Sequence, residues 1–159
     1  MQVALAEGAT EVTVTDVADE RLDLARKTGA TRTVNVAEEP LAEAGIEADT
    51  LIECSGNERA LDDGIRCLRP AGTAVVVGMG PEEMTSVPLA FVQTREIWLT
   101  GTFRYANTYS AAISLAATGK VELDAIVTSA YGLEDTDSAL RASQEDPANV
   151  KPMVLSNGG

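Results

Sequence analysis

The sequence predicts an α/β domain built around a parallel sheet, and two observations support this fold class. Short apolar runs rich in β-branched residues alternate with stretches of helical periodicity over most of the 159 residues. Residues 72–80 (GTAVVVGMG) hold too many consecutive apolar side chains for a strand with one face in water, so this strand should be central. A chain of this length is expected to form one layered unit.

In the first half of the chain, strand patterns and helix signals alternate. Residues 1–7 are typical of the end of a helix, and the β-branched run 11–16 (EVTVTD) predicts a strand that ends at a turn residue. An amphipathic helix follows, and Gly29 is well placed to cap its carboxyl end. Two further strands are predicted at 31–36 and 49–56, with a brief helix or turn at 38–46 between them.

The second half continues the alternation. Four residues at positions i, i+3, i+4 and i+7 predict a helix: Leu61, Gly64, Ile65 and Leu68. A loop with two prolines follows residue 80, and a clear helical stripe runs from Tyr109 to Ala116. The remaining predicted elements are strands at 72–80, 96–103, 125–133 and 150–156 and a helix over about 133–145.

Composition excludes several function classes. The 25 acidic residues outnumber the 12 basic ones, and a net charge of −13 repels nucleic acid and anionic membranes. No histidine is present, so the commonest general base and metal ligand is missing. Cys54 and Cys67 do not have zinc-site spacing, and their apolar surroundings favour a reduced, cytoplasmic protein. No membrane segment is expected, because no apolar run approaches the length needed to span a bilayer. The chain taken alone shows no catalytic machinery.

Asp16 stands where a predicted strand meets a predicted helix, and the local pattern allows two interpretations. The carboxylate can cap the helix, with Asp19 as an imperfect capping box. It can equally hold the ribose of a nucleotide, in which case a glycine-rich phosphate loop should come just before the strand. The sequence instead begins with MQVALAEGAT, and the local pattern gives both interpretations even odds.

Several stretches together resemble one family. They are VTDVADERLDLARKTGAT, DTLIECSGNERAL, GIRCLRPAGTAVVVGMG, SVPLAFVQTREIWLTGTFRYANTY and IVTSAYGLED. In this order they are similar to the coenzyme-binding part of the zinc-containing medium-chain dehydrogenases, nearest to the sorbitol (L-iditol 2-) dehydrogenase branch. GTFRYANTY is the most branch-specific stretch, whereas GATEVTVTD is shared across the superfamily.

The resemblance implies an incomplete Rossmann-like fold, a doubly wound parallel sheet lacking its first strand and its glycine-rich loop. Residues 1–149 would be a partial NAD-binding domain. Residues 150–159 would be the segment that in the family returns to a GroES-like catalytic domain, which is absent from this chain together with its zinc ligands. The loss of the first strand would leave two apolar sheet edges without partners.

The resemblance also implies site residues. Those expected to bind the cofactor are Asp16, Arg21, Gly78, Met79, Gly80 and Phe103, and those expected to bind a polyol substrate are Arg104 and Tyr105. A carboxylate at position 16 favours NAD over NADP because it repels a 2′-phosphate. The alternatives without a functional role are a tight turn for the glycines and a surface location for Arg104 and Tyr105. No catalytic residue and no metal ligand is expected in this chain.

The expected parent function is hydride transfer from a secondary alcohol to NAD, with zinc polarising the alcohol oxygen. We expect the chain alone to be inactive and to bind NAD poorly, and we expect a homodimer or tetramer. One rival is a stand-alone nucleotide-binding or regulatory module without catalysis. Another is a Rossmann-like methyltransferase, which would have no use for GTFRYANTY. Cys54 is expected to be a small core residue, and the role of Glu53 is left open because an acid inside an apolar strand is costly unless paired.

Overall fold

A computed structural model describes residues 1–156. The elements, in chain order, are α1 (Gln2–Ala6), β1 (Thr13–Asp16), α2 (Asp19–Lys27), β2 (Arg32–Asn35), β3 (Ala48–Glu53), α3 (Glu58–Arg66), β4 (Leu68–Val76), α4 (Leu89–Thr94), β5 (Trp98–Gly101), α5 (Tyr109–Ala117), β6 (Ser129–Gly132), α6 (Thr136–Glu145) and β7 (Pro152–Leu155). Short 3₁₀ turns at Asp124–Ile126 and Leu133–Asp135 flank β6. Every pair of bonded strands is parallel, as the alternating pattern predicts.

The first compact unit consists of Met1–Glu38 and the chain from Asn107 onward. It contains two separate two-stranded sheets, β1–β2 and β6–β7. Helix α2 contacts both β1 and β2. It buries Leu22 completely, and the β2 residue Val34 is buried as well. Helix α6 contacts β6 and β7 and buries Ala139 and Ala142. Strand β7 lies within the extended segment predicted at 150–156 and pairs with β6.

The second compact unit, Glu39–Ala106, is built on the sheet β3–β4–β5. Strand β4 lies between the other two, which confirms the central position predicted from its apolar run. The core of this unit consists of Leu61, Ile65, Leu68, Ala74 and Ile97. Because α3 supplies the first two of these residues at positions i and i+4, one face of this helix covers the sheet.

Two details of the second unit differ from the predicted elements. Leu68 was expected on the helix, but α3 ends at Arg66 and Leu68 opens β4. It is still 1% exposed, so the burial that the periodicity indicated is achieved from a strand. Helix α4 was not predicted, because it has only six residues and directly follows Pro88. The Phe91 ring of this helix lies 4.8 Å from the guanidinium carbon of Arg95 and 5.8 Å from that of Arg66.

Strands β1 and β3 are edge strands in the part of the chain that the structure describes. Strand β1 is bonded only to β2, and β3 only to β4. Large apolar side chains on the second unit's sheet are also exposed, Ile52 on β3 and Trp98 on β5 among them. Over residues 1–156, no helix combines the length and the apolar character needed to cross a bilayer.

Candidate functional site: strand ends in each unit

Asp16 ends β1, and its carboxylate is fixed by the chain that follows it. Its Oδ1 accepts hydrogen bonds from the Val17 N–H (2.8 Å) and the Ala18 N–H (3.0 Å). Its Oδ2 lies 3.8 Å from Arg21 Nη1, on the first turns of α2. The Asp16 side chain is 25% exposed, so the carboxylate is held in a fixed orientation and can still be reached by solvent.

The capping interpretation of Asp16 is met only in a modified form. The residue at the N-cap of α2 is Ala18, and its side chain makes no capping bond. Asp19 accepts a hydrogen bond from Nδ2 of Asn35, the last residue of β2 (2.9 Å). Asp16 therefore shapes the turn into α2 through one oxygen, while its other oxygen faces a cation. This arrangement is compatible with a role in the turn and with a role in binding at the same time.

In the second unit, the carboxyl ends of the three strands lie side by side. Glu53, the last residue of β3, is in register with Val76, and Val76 is in register with Gly101 at the end of β5. The segments that follow these strands therefore begin at the same end of the sheet, the end formed by the carboxyl ends of the strands. They are residues 54–57, 77–80 and 102–105. Ligands of parallel α/β sheets bind at this end. Residues 78–80 and 103–105 therefore follow neighbouring strands at the same end of the sheet, and their role in binding stays a prediction.

Three glycines pack the segments 54–57 and 77–80 against each other. A Cβ built on Gly78 would lie 2.2 Å from Gly56 N, and one on Gly56 would lie 2.5 Å from the Met79 carbonyl. A Cβ on Gly80 would lie 2.7 Å from Gly56 O. These distances exclude any side chain, so the glycines are required for a close backbone crossing, as well as for a tight turn. The Met79 side chain between them is exposed.

The segment after β5 is exposed over all three residues of interest. The Thr102 N–H donates to Val76 O (3.0 Å), which ties the start of this segment to the end of β4. The Arg104 guanidinium lies over the Phe103 ring at 4.9 Å, and Arg104 has φ +55°. A positive φ at a non-glycine residue costs energy and is frequent at functional positions. The side chains of Phe103 and Tyr105 are also mainly exposed.

The role of Glu53, which sequence reasoning left open, is clarified in part by its contacts. Its side chain is 5% exposed, and its carboxylate accepts hydrogen bonds from the turn that follows β3. The signal in the sequence was an acid in an apolar strand, followed by Cys54 and then by the turn residues Ser-Gly-Asn. Partial burial, and then the negative charge of Glu53, raise the pKa of the neighbouring Cys54 thiol. Cys54 therefore stays protonated near neutral pH. The expectation that Cys54 is a small core residue was wrong, because the residue follows the last residue of β3 and is exposed.

The side chains described do not fit a bound zinc ion. Within residues 1–156, no three His, Cys, Asp or Glu side chains come close enough together to hold a metal.

The parallel strands with helices packed on them define the class of this protein: an α/β domain with a partial Rossmann-like fold. The chain belongs to the zinc-binding dehydrogenase family, because the sequence model of that family matches residues 1–118. It is 37% identical to the sorbitol dehydrogenase of Ovis aries over 150 residues, which is 89% of this chain and 42% of that enzyme. The resemblance to the sorbitol branch of the zinc-containing dehydrogenases is thereby confirmed.

Solved structures agree with this assignment. L-idonate 5-dehydrogenase from Escherichia coli superposes with a TM-score of 0.85 at 26% identity, over 97% of this chain and 45% of that one. A protein of Sinorhizobium meliloti 1021 bound to NADP gives a TM-score of 0.87 at 26% identity, over 98% of this chain and 48% of that one. The chain therefore spans less than half the length of these relatives.

Proposed function

We propose that this chain is the NAD-binding part of a zinc-dependent polyol dehydrogenase that transfers hydride from a secondary alcohol to NAD. The observation that supports this most directly is the Asp16 carboxylate, which is oriented by two backbone N–H groups at the end of β1. Sorbitol dehydrogenases among the relatives support the polyol as substrate. The bound nicotinamide would supply the hydride acceptor, while the residues of this chain bind and orient the cofactor.

Each predicted site residue has a role in this proposal. Asp16 accepts hydrogen bonds from the hydroxyls of the adenosine ribose, with Arg21 beside them. The glycine segment 78–80 and the Phe103 backbone meet the nicotinamide end, because glycines allow a flat ring close to the main chain. Arg104 and Tyr105 donate hydrogen bonds to the hydroxyls of the substrate.

The choice of NAD rests on charge. One structural neighbour is bound to NADP and another is in complex with NADH, so the fold accommodates either cofactor. In this chain, the Asp16 carboxylate would repel a 2′-phosphate, whereas its Oδ2 is available to accept from ribose hydroxyls. Arg21 alone would favour a phosphate, but its guanidinium lies toward Asp16 and its attraction is partly neutralised there.

Replacing Asp16 with asparagine should weaken NAD binding about tenfold, because a hydrogen bond to a charged acceptor is lost. The asparagine Oδ1 can still accept from Val17 and Ala18, so the turn should persist. The preference for NAD over NADP should fall with the charge. Calorimetric titration with both cofactors checks this. Glu20→Gln, which removes an equal charge from the exposed first turn of α2, serves as the control. An unchanged affinity ratio in Asp16→Asn would contradict the proposal.

The 159-residue chain assayed by itself should show no polyol oxidation. It has no histidine to act as a general base, and its described carboxylates and thiols form no metal-binding group. The measurement is NADH absorbance with sorbitol, NAD and added zinc. Zinc-dependent NADH formation by the purified chain would contradict this prediction.

We also propose a cytoplasmic homodimer or tetramer. The two cysteines are free thiols, as expected in a reducing compartment. Strand β5 carries the exposed Trp98 and Leu99 at an edge of the second unit's sheet, and an apolar edge of this kind favours pairing with another copy.

A further inference from the structure

Glu53 carries the only buried charge among the residues that the structure describes. A buried carboxylate is costly unless hydrogen-bond donors compensate for the lost water. Here the Ser55 N–H donates to Oε1 (2.7 Å), the Ser55 hydroxyl donates to the same oxygen, and the Gly56 N–H is shared between both oxygens (3.1 Å each). The carboxylate thus determines the shape of the turn between β3 and α3.

The main chain of the same residue holds the neighbouring segment. The Glu53 carbonyl oxygen accepts hydrogen bonds from the Val77 N–H (2.8 Å) and the Gly78 N–H (3.0 Å). One residue therefore anchors both segments that leave this end of the sheet: residues 55–56 through its side chain, and residues 77–78 through its backbone.

The position of one segment determines that of the other. A methyl group added to Gly56 would lie 2.5–2.7 Å from backbone atoms of Met79 and Gly80, and one added to Gly78 would lie 2.2 Å from Gly56 N. A shift of Gly56 by a few tenths of an ångström would therefore push the segment 78–80. The Glu53 carboxylate, which binds the Gly56 N–H, sets this contact from within the turn.

We propose that Glu53 is a positioning residue that sets the backbone of residues 78–80 for the nicotinamide end of the cofactor; this inference rests on the function proposed above. Glu53 does not contact the cofactor itself, because its carboxylate is buried and its oxygens face the donors of the turn. It acts through Gly56, which carries the effect to Gly78, Met79 and Gly80. A displacement of catalytic geometry on this scale can change binding or rate substantially.

The test compares Glu53→Gln with the control Glu43→Gln in the 159-residue chain. Both remove one negative charge from the second unit, but Glu43 is exposed. Two quantities are measured by NMR: the backbone amide shifts of each variant, and the affinity of each variant for NAD and for ADP-ribose. ADP-ribose lacks the nicotinamide, so it should not sense residues 78–80.

In Glu53→Gln, we expect amide shifts at Met79 and Gly80 as well as at Ser55 and Gly56. NAD affinity should fall about tenfold, because a charged acceptor of several hydrogen bonds is lost, while ADP-ribose affinity stays unchanged. Glu43→Gln should change neither. Shifts confined to residues 52–57, or equal losses for NAD and ADP-ribose, would overturn the inference, because a general loss of stability weakens both ligands alike.

A second variant covers the case in which Glu53→Gln does not fold. Ser55→Ala removes the hydroxyl that donates to Glu53 and accepts from the Asn57 N–H, and it leaves the carboxylate in place, so the same pattern is expected with a smaller amplitude. If the wild-type chain binds neither ligand, the proposed function fails and the cofactor part of this inference fails with it. Shifts at Met79 and Gly80 would still uphold the coupling between Glu53 and that segment, and their absence would overturn it.

Discussion

Replacing Gly78 with alanine should lower the free energy of unfolding by about 3 kcal/mol, at the upper end of the usual cost of overpacking. The new methyl carbon would lie 2.2 Å from Gly56 N, 2.7 Å from the Cys54 carbonyl carbon and 2.8 Å from that of Ser55. All three are backbone atoms, so no side-chain rotation can relieve the overlap. The two crossing segments would have to separate, and any binding of the nicotinamide end at residues 78–80 should be lost with them.

The measurement is urea unfolding followed by circular dichroism and by the fluorescence of Trp98, the only tryptophan of the chain. Gly101→Ala in the same unit is the matched control, because its Cβ would meet nothing closer than Val76 O at 3.8 Å. The control should unfold within about 0.5 kcal/mol of the wild type. A Gly78→Ala variant as stable as the wild type would show that the two segments do not cross as closely as described.

The second large effect is expected at the core of the unit Glu39–Ala106. Ile65 is 0% exposed and packs in one cluster with Leu61, Leu68, Ala74 and Ile97. Ile65→Ala removes three carbon atoms from this cluster and leaves a cavity, so the free energy of unfolding should fall by about 3 kcal/mol. The same unfolding experiment measures it.

Ile52→Ala is the control for this prediction. It makes the same chemical change in the same unit, but Ile52 lies on the edge strand β3 and is 54% exposed. Its loss should cost less than about 1 kcal/mol, since little apolar surface leaves a packed environment. Equal costs at the two positions would contradict the assignment of the core.

Periodicity predicted the order of strands and helices because each element repeats its pattern within a few residues. The β-branched run before Asp16 and the apolar run before Gly78 are local signals, and both became strands with parallel partners. Helix α4 was missed because a helix of six residues is too short to show a period. Leu68 was assigned to the wrong element because its burial could be reached from a helix or from a strand.

The sequence named only some of the residues that we propose for the site. Asp16, Gly78 and the segment around Arg104 could be named from the sequence because the resemblance carries over residue by residue. The role of Glu53 could not, because it depends on a turn two residues away and on a second segment more than twenty residues further along the chain. The crossing of Gly56 with Gly78 is equally non-local. A window of the length used to read a helix or strand pattern is too short to contain both residues and the strands that bring them together.

The proposed function depends above all on Asp16, whose carboxylate we propose binds the adenosine ribose and disfavours a 2′-phosphate. Titrating the ¹⁵N-labelled wild-type chain with NAD and with NADP, while following the amide signals of residues 16–21, tests it most directly. We expect NAD to shift these signals at concentrations about tenfold lower than NADP does. The signals of Val17 and Ala18 should be among those that shift. Signals that do not respond to NAD, or that respond to NADP at equal or lower concentration, would contradict it.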